Sequence, residues 1–421
     1  MKLTRTLACL CCWMLALGAS VSRGTAPHRN ESVYRAVQAN HDDALALLQQ
    51  IVDIDSGTGD IEGGSKVESV LAQRLAAIGA AVRNEPAEVP GLPDNLVAVV
   101  HGAGKGRILI IAHIDTVFAQ GTVAGRAFST EGNQAHGPGV GDEKGGVVVA
   151  ISALKILHDI HFRNYGVITL LLDDSEERGS PGSRKLINAL ATEHDVEFNM
   201  EPGDPPDALT VWRKGSGTLR VDVAGRAAHA GMYPQNGRNA AVELVHQLSA
   251  LESAFPHTGE GTTVNLTLLK AGERNNIIPD AASATFSVRF RQPEDFDAVF
   301  AQFKAATAVT SVPDTKVSVE RSTAFPPLIE NAQIDALAKR ARAIYAEIGK
   351  TMGLSGNGGA SESALAMSGG TPALDGLGLV GSDFHTDHEW VDLDSVNPRL
   401  YLFTRLLMET GASPPKKTVA R

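Results

Sequence analysis

Residues 166–183 read "GVITLLLDDSEERGSPGS". The aliphatic run Val167 to Leu172 has the length and β-branched character of a buried strand. It ends abruptly in four carboxylates, Asp173, Asp174, Glu176 and Glu177, and a glycine-proline turn leads into "SRKLINALATEH" (183–194), which is spaced as a helix. The same alternation extends upstream. "NLVAVVHG" (95–102) and "RILIIAH" (107–113) read as strands, and "GGVVVAISALKILHDI" (145–160) as a helix led in by glycines. Two further helices are expected at "YRAVQANHDDALALLQQIVDI" (34–54) and "KVESVLAQRLAAIGA" (66–80), the second stopped by Gly79. Strands alternating with helices predict an α/β layered fold with a mostly parallel sheet.

The texture changes near Lys214. "GTLRVDVAGRAAHAG" (217–231) alternates as a strand, and "NAAVELVHQLSALESAF" (239–255) is an amphipathic helix. "TTVNLTLLKAG" (262–272) and "AASATFSVRFR" (281–291) are strands, "EDFDAVFAQFKAATAV" (294–309) a helix and "TKVSVERS" (315–322) a last strand. The order β-α-β-β-α-β predicts a ferredoxin-like α+β unit inserted into the first pattern. That pattern resumes with helices at "NAQIDALAKRARAIYAEIG" (331–349) and "NPRLYLFTRLLMETGA" (397–412). The expected division is 1–22 leader, 36–212 first part of the main domain, 213–326 insert and 327–412 second part.

The chain has 421 residues and a formal net charge of -10, which argues against nucleic acid as a partner. Lys2 and Arg5 precede the apolar run Leu7 to Leu17 and the small residues Gly18 to Ser20, the pattern of an export signal that is cleaved. An exported protein, periplasmic or secreted, is expected, with no membrane association after cleavage. Cys9, Cys11 and Cys12 all lie in that leader. The mature chain therefore has no disulfide, thiol nucleophile or zinc-thiolate site.

In open α/β sheets, ligands sit beyond the carboxyl ends of strands. "RILIIAHIDTVF" puts His113 and Asp115 there, and "VEFNMEPGDPP" adds Glu201. "HGPGVGDEKGG" places Asp142 in a glycine-rich loop before a helix, and "VGSDFHTDHEW" contributes His385. Imidazole and carboxylate are the ligands that suit zinc when thiolate is lacking, and a carboxylate can bridge two ions. Alternation turns His113 and Asp115 to one side, so that Asp115 can hold the second nitrogen of a ligating imidazole. Read singly, these motifs have plain structural alternatives: an exposed acidic turn for Glu176 and Glu177, and a helix N-cap for Asp142.

Taken in order, "HIDTVF", "GPGVGDEKGG", "DDSEERGSPGS", "MEP", "GRAAHAG", "NIIPD" and "FHTD" resemble the aminoacylase/glutamate carboxypeptidase family of co-catalytic di-zinc peptidases, nearest its bacterial glutamate carboxypeptidase branch. The resemblance implies a zinc-exopeptidase-like catalytic domain, with the insert as lid and dimerisation domain of a homodimer. It implies two zinc ions per subunit. Asp142 would bridge them, His113 and Glu201 completing one site and Glu177 and His385 the other. Asp204 competes with Glu201, and His388 with His385. Glu176 would be the general base, Asp115 the partner of His113, and His229 a donor to the scissile carbonyl. Asn276 and Arg289 would grip the substrate carboxylate, where a turn residue and a surface charge are the plain alternatives. The implied reaction is hydrolysis of an amide next to a free carboxylate, in a short peptide or N-acyl-glutamate. Rival readings are an N-acyl-amino-acid amidohydrolase or dipeptidase of other specificity, and a non-catalytic ligand-binding relative, which would be expected to lose the base or a ligand. Two departures bear on specificity. "ERSTAF" carries Arg321 one place away from the branch's arginine, and "NGGASES" has Ser361 and Glu362 where threonine or serine and aspartate are usual.

Overall fold

The computed structural model describes residues 28–417, so the expected leader and its cysteines lie outside the described residues. Val167–Asp173 forms a strand that is buried at every position. It lies inside a six-stranded sheet with the order 81–85, 95–101, 167–173, 107–113, 196–199, 373–374. Strand Arg107–His113 runs parallel to Val167–Asp173 and to Val196–Asn199, which is parallel to Ala373–Leu374. The two strands on the other side, Asn95–His101 and Ala81–Glu85, pair antiparallel, so three of the five pairings are parallel.

Full burial of the central strands follows from helices on both faces. Ile168, Leu170 and Leu172 join the main core with helices α1 (Glu31–Val52), α2 (Ile61–Ala77) and α3 (Lys144–Asp159). The C-terminal helix Val396–Ala412 lies in that same layer. Leu171, with Val97, Leu109 and Ile111, turns the opposite way onto Ile187 and Leu190 of α4 (Arg184–Glu193). A continuous apolar strand rather than an alternating one is the signature of this double cover.

The insert keeps its own core. Strands 263–271, 281–290, 215–224 and 316–325 lie in that order, all antiparallel. Leu219, Val221 and Val223 face α5 (Ala240–Glu252) and α6 (Pro293–Ala306), and the alternate positions Thr218, Arg220 and Ala224 are exposed. Phe286, Phe290, Phe296 and Phe303 fill the space between sheet and helices. A small four-stranded sheet was not foreseen. It is built from strands 381–382, 390–392, 134–136 and 129–131, each of two or three residues, and it brings the loop of His385 to the glycine loop of Asp142.

Candidate metal centre

His113 is the last residue of its strand and is fully buried. Its Nε2 lies 3.1 Å from Asp142 Oδ1, and its Nδ1 lies 3.0 Å from the Asp115 carbonyl and 3.3 Å from Asp115 Oδ1. The Nδ1 edge of the ring thus faces both the carbonyl and the carboxylate of Asp115. The Asp115 carboxylate does more than this. It accepts the Thr58 hydroxyl at 2.6 Å and the amides of Glu176 and Glu177 at 3.0 and 3.3 Å, which fixes the start of the acidic loop.

Asp142 does not cap α3. The cap position is Glu143, without a side-chain cap bond. Instead Asp142 Oδ2 lies 3.1 Å from His385 Nε2, which is also 3.1 Å from Glu177 Oε2. Two triads result: His113, Asp142 and Glu201, and Asp142, Glu177 and His385, with ligand atoms within 4.8 Å of one another in each. Asp142 alone belongs to both. Neither competing residue joins a triad. Asp204 accepts from Ser355 and Asn357, and His388 belongs to neither triad.

The glycine loop is held from behind by Glu389, whose carboxylate accepts the amides of Gly139, Gly141 and Asp142 at 3.1, 2.8 and 3.0 Å. Burial pushes the Glu389 carboxyl up to about 7. Arg213 clamps Asp375 in a two-pronged pair at 2.8 and 2.9 Å and reaches Glu201 at 3.3 Å. Ser361 donates to the same Asp375 at 2.5 Å. Glu362 is buried against Ser180 and Asn199. Of these, Arg213, Asp375 and Glu389 carry no signal in the sequence beyond being charged residues near motif positions.

The electrostatics are those of an acid cluster lacking a counter-charge. Burial pushes Glu176 well above the ordinary carboxyl range, and it raises Glu177 with help from Asp142. Burial also lifts Glu201 to about 8 against the pull of Arg213. Asp142 is held low despite its burial, because His113 and His385 face it. Burial opposes charge on His113, but Asp115 and Asp142 outweigh it and raise its pKa well above normal. Asp142 and Glu177 raise His385 to about 10. One Glu177 oxygen, Oε1, is buried without a hydrogen-bond partner. Carboxylates that share imidazoles, an orphaned carboxylate oxygen and a donor set of nitrogen and oxygen fit divalent cations.

The remaining expected residues divide. Arg289 lines the pocket of about 550 Å³ that holds Asp142, Glu176, Glu177, Glu201 and His385. Burial lowers its pKa while Glu176 raises it, and it forms no ion pair among the described residues. His229 and Asn276 are adjacent, since the Ala230 amide donates to the Asn276 carbonyl at 3.0 Å, but neither lines that pocket. His229 is exposed, and its Nδ1 accepts the amides of Gly231 and Met232 at 3.1 and 3.0 Å. The proton of the neutral ring is therefore on Nε2, which is left free to donate. Arg321 pairs with Asp297 and stacks on Phe300 at 4.7 Å, away from the pocket.

Residues 109–409 match the model of peptidase family M20/M25/M40. The chain belongs to this family. It is a metallopeptidase, as the two triads lead one to expect. It is 33% identical to carboxypeptidase G2 of Pseudomonas sp., over 95% of this chain and 97% of that one. Among solved structures, an M20 metallo-carboxypeptidase from Sulfolobus solfataricus superposes with a TM-score of 0.70 at 16% identity, covering 87% of this chain and 99% of that chain. A dinuclear metal-binding M20 peptidase from Bacillus subtilis gives 0.63 at 16%, covering 89% and 99%. Among the described residues no helix is long and apolar enough to cross a membrane.

Proposed function

We propose that the protein is an exported, two-zinc carboxypeptidase or amidohydrolase that cleaves an amide next to a free carboxylate, with glutamate as the released residue. The observation that carries this reading is two ligand triads joined at Asp142, four of whose five members line one pocket with the buried Glu176 and with Arg289, which forms no ion pair among the described residues. His113, Asp142 and Glu201 would hold one ion, and Asp142, Glu177 and His385 the other. Such ions supply Lewis acidity to the scissile carbonyl and acidify water.

Everything else falls to the chain's own side chains. Glu176, with its raised pKa, takes the proton from the attacking water and passes it to the leaving amine. Asp115 keeps the His113 tautomer fixed. Arg289 offers a guanidinium fork to the terminal carboxylate of the released residue. His229 Nε2–H would donate to the developing oxyanion from the second copy of a homodimer formed through the insert, with Asn276 beside it at the carboxylate end. The glutamate preference is supported by likeness to carboxypeptidase G2. It draws no support from Arg321, which is engaged by Asp297.

The test is a panel of N-acetyl amino acids, run with and without a chelator and with zinc restored. Chelator-sensitive cleavage fastest on N-acetyl-glutamate is expected. A preference of about tenfold or more for an aliphatic residue would overturn the glutamate assignment and favour the broader amidohydrolase reading.

A further inference from the structure

A second groove, of about 680 Å³, adjoins the metal pocket, and Glu177 and Arg178 line both. Its walls are the turn Gly57–Ile61 and the segment Thr116–Gln120, which follows directly on Asp115. Ile61 and Val117 are 53% and 44% exposed there, which puts apolar surface on both walls of the groove. Phe118 stands beside them, with the Arg126 guanidinium 4.2 Å above its ring.

The walls are preformed. The Thr58 amide donates to the Thr116 carbonyl at 3.0 Å, and the Thr116 amide to Ser56 at 2.9 Å. The Thr58 hydroxyl holds the Asp115 carboxylate at 2.6 Å, and Arg178 donates to the Thr58 carbonyl at 2.8 Å. The groove is thus built on the same hydrogen bonds that orient His113 and the acidic loop.

From this geometry we infer that the groove is the subsite for the acyl part of the substrate, and that Val117 and Ile61 select a bulky, apolar acyl group over a short one. The inference rests on the amide-hydrolase reading above. Arg289 sits in the metal pocket, where the released residue's carboxylate would dock. The scissile carbonyl must lie against Glu176 and Glu177, so the acyl group continues past Glu177 and Arg178. The space there is far larger than an acetyl group needs. Arg178 at the shared edge can lie over a ring in that space.

The test uses the Glu176→Gln zinc-loaded enzyme, in which turnover is expected to fall by at least about 10²-fold, and calorimetric titration with two ligands on the same amino acid, one N-(3-phenylpropanoyl) and one N-acetyl. The amino acid is whichever the wild-type enzyme releases fastest, so an error about glutamate does not touch the result. Adding Val117→Asp, or separately Ile61→Asp, is expected to shift the affinity ratio by about tenfold or more against the larger ligand, with zinc content unchanged. A ratio within about twofold of the parent in both variants overturns the groove assignment, the scale on which losing apolar contact would already register. If the wild-type enzyme cleaves no N-acyl amino acid and neither ligand binds, the amide-hydrolase reading falls, and the groove assignment with it.

Discussion

Glu176 and Glu177 are adjacent, yet only Glu177 belongs to a ligand triad. A 3₁₀ turn over Glu176–Arg178, pinned at both amides by Asp115, sends the two side chains to different surroundings. Replacing Glu176 with glutamine should leave two zinc ions per chain by metal analysis while lowering turnover by at least about 10²-fold, the lower range for a general base. Near-normal turnover would refute the role. The other two carboxylates of the opening stretch have a different fate. Asp173 takes the Ser175 hydroxyl at 3.0 Å, and Asp174 is buried with neither oxygen hydrogen-bonded. Burial, with Asp115 nearby, pushes Asp174 up to about 9. The folded chain thus keeps a proton that the unfolded chain releases near pH ~4. The sign follows from this. That group's contribution is fully present below about pH 4 and is lost as pH rises toward about 9, with a slope of about 1.4 kcal/mol per pH unit. Asp174→Asn should flatten the fall of Tm between about pH 6 and 9 in chelator-treated protein, and identical slopes in wild type and variant would discard the assignment. The resemblance to a known family divides Glu176 from Glu177, but nothing in the sequence assigns Asp173 and Asp174, because burial decides which acid is kept neutral.

Whether an element was legible depended on its length. Strand Val167–Asp173 and helices α1, α3 and α4 stood out because each carries a full apolar run or stripe. The strands 129–131, 134–136, 381–382 and 390–392 are too short for any period to register, so neither the small sheet nor Glu389, which immediately precedes strand 390–392, is legible in the sequence. Arg213 was overlooked for a related reason. An arginine closing strand Ala208–Arg213 looks like a surface charge until Asp375, distant in the chain, is folded against it. Helix α3 shows how closely element packing is tied to the candidate metal centre. A Cβ on Gly146, in its first turn, would stand 1.9 Å from the Met200 carbonyl, next to Glu201. Gly146→Ala must therefore push strand end and helix apart, at a cost of about 1–3 kcal/mol for overpacking. The expected signature is loss of one zinc before the other on dialysis, since Glu201 serves only one triad. Simultaneous loss of both ions would mean that the displacement does not act through Glu201.

At the scale of the molecule, the described residues pack around two sheets, the six-stranded one with apolar clusters on both faces and the insert's with one. The insert's cluster lies between its sheet and α5 and α6. The second sheet is legible in sequence because strand texture changes from continuous to alternating near Lys214, which is the difference between a sheet covered on two faces and one covered on a single face. The pairing order within each sheet was not visible, since it depends on contacts between distant segments. The two sheets make the effect of metal removal specific. Every ligand of both triads lies outside the insert's strands and helices. Zinc at about 10³ times its dissociation constant would stabilise the folded form by about 4 kcal/mol per site. Chelation should therefore lower the melting transition of the larger unit by several degrees, and leave the transition of the insert nearly in place. Scanning calorimetry of the full chain with and without chelator reads both at once. The shift should deepen at low ionic strength, where repulsion among the uncovered carboxylates is least screened. A single transition that moves as a whole would mean that the two sheets unfold together, and that the bound ions stabilise the insert as much as the sheet that holds them.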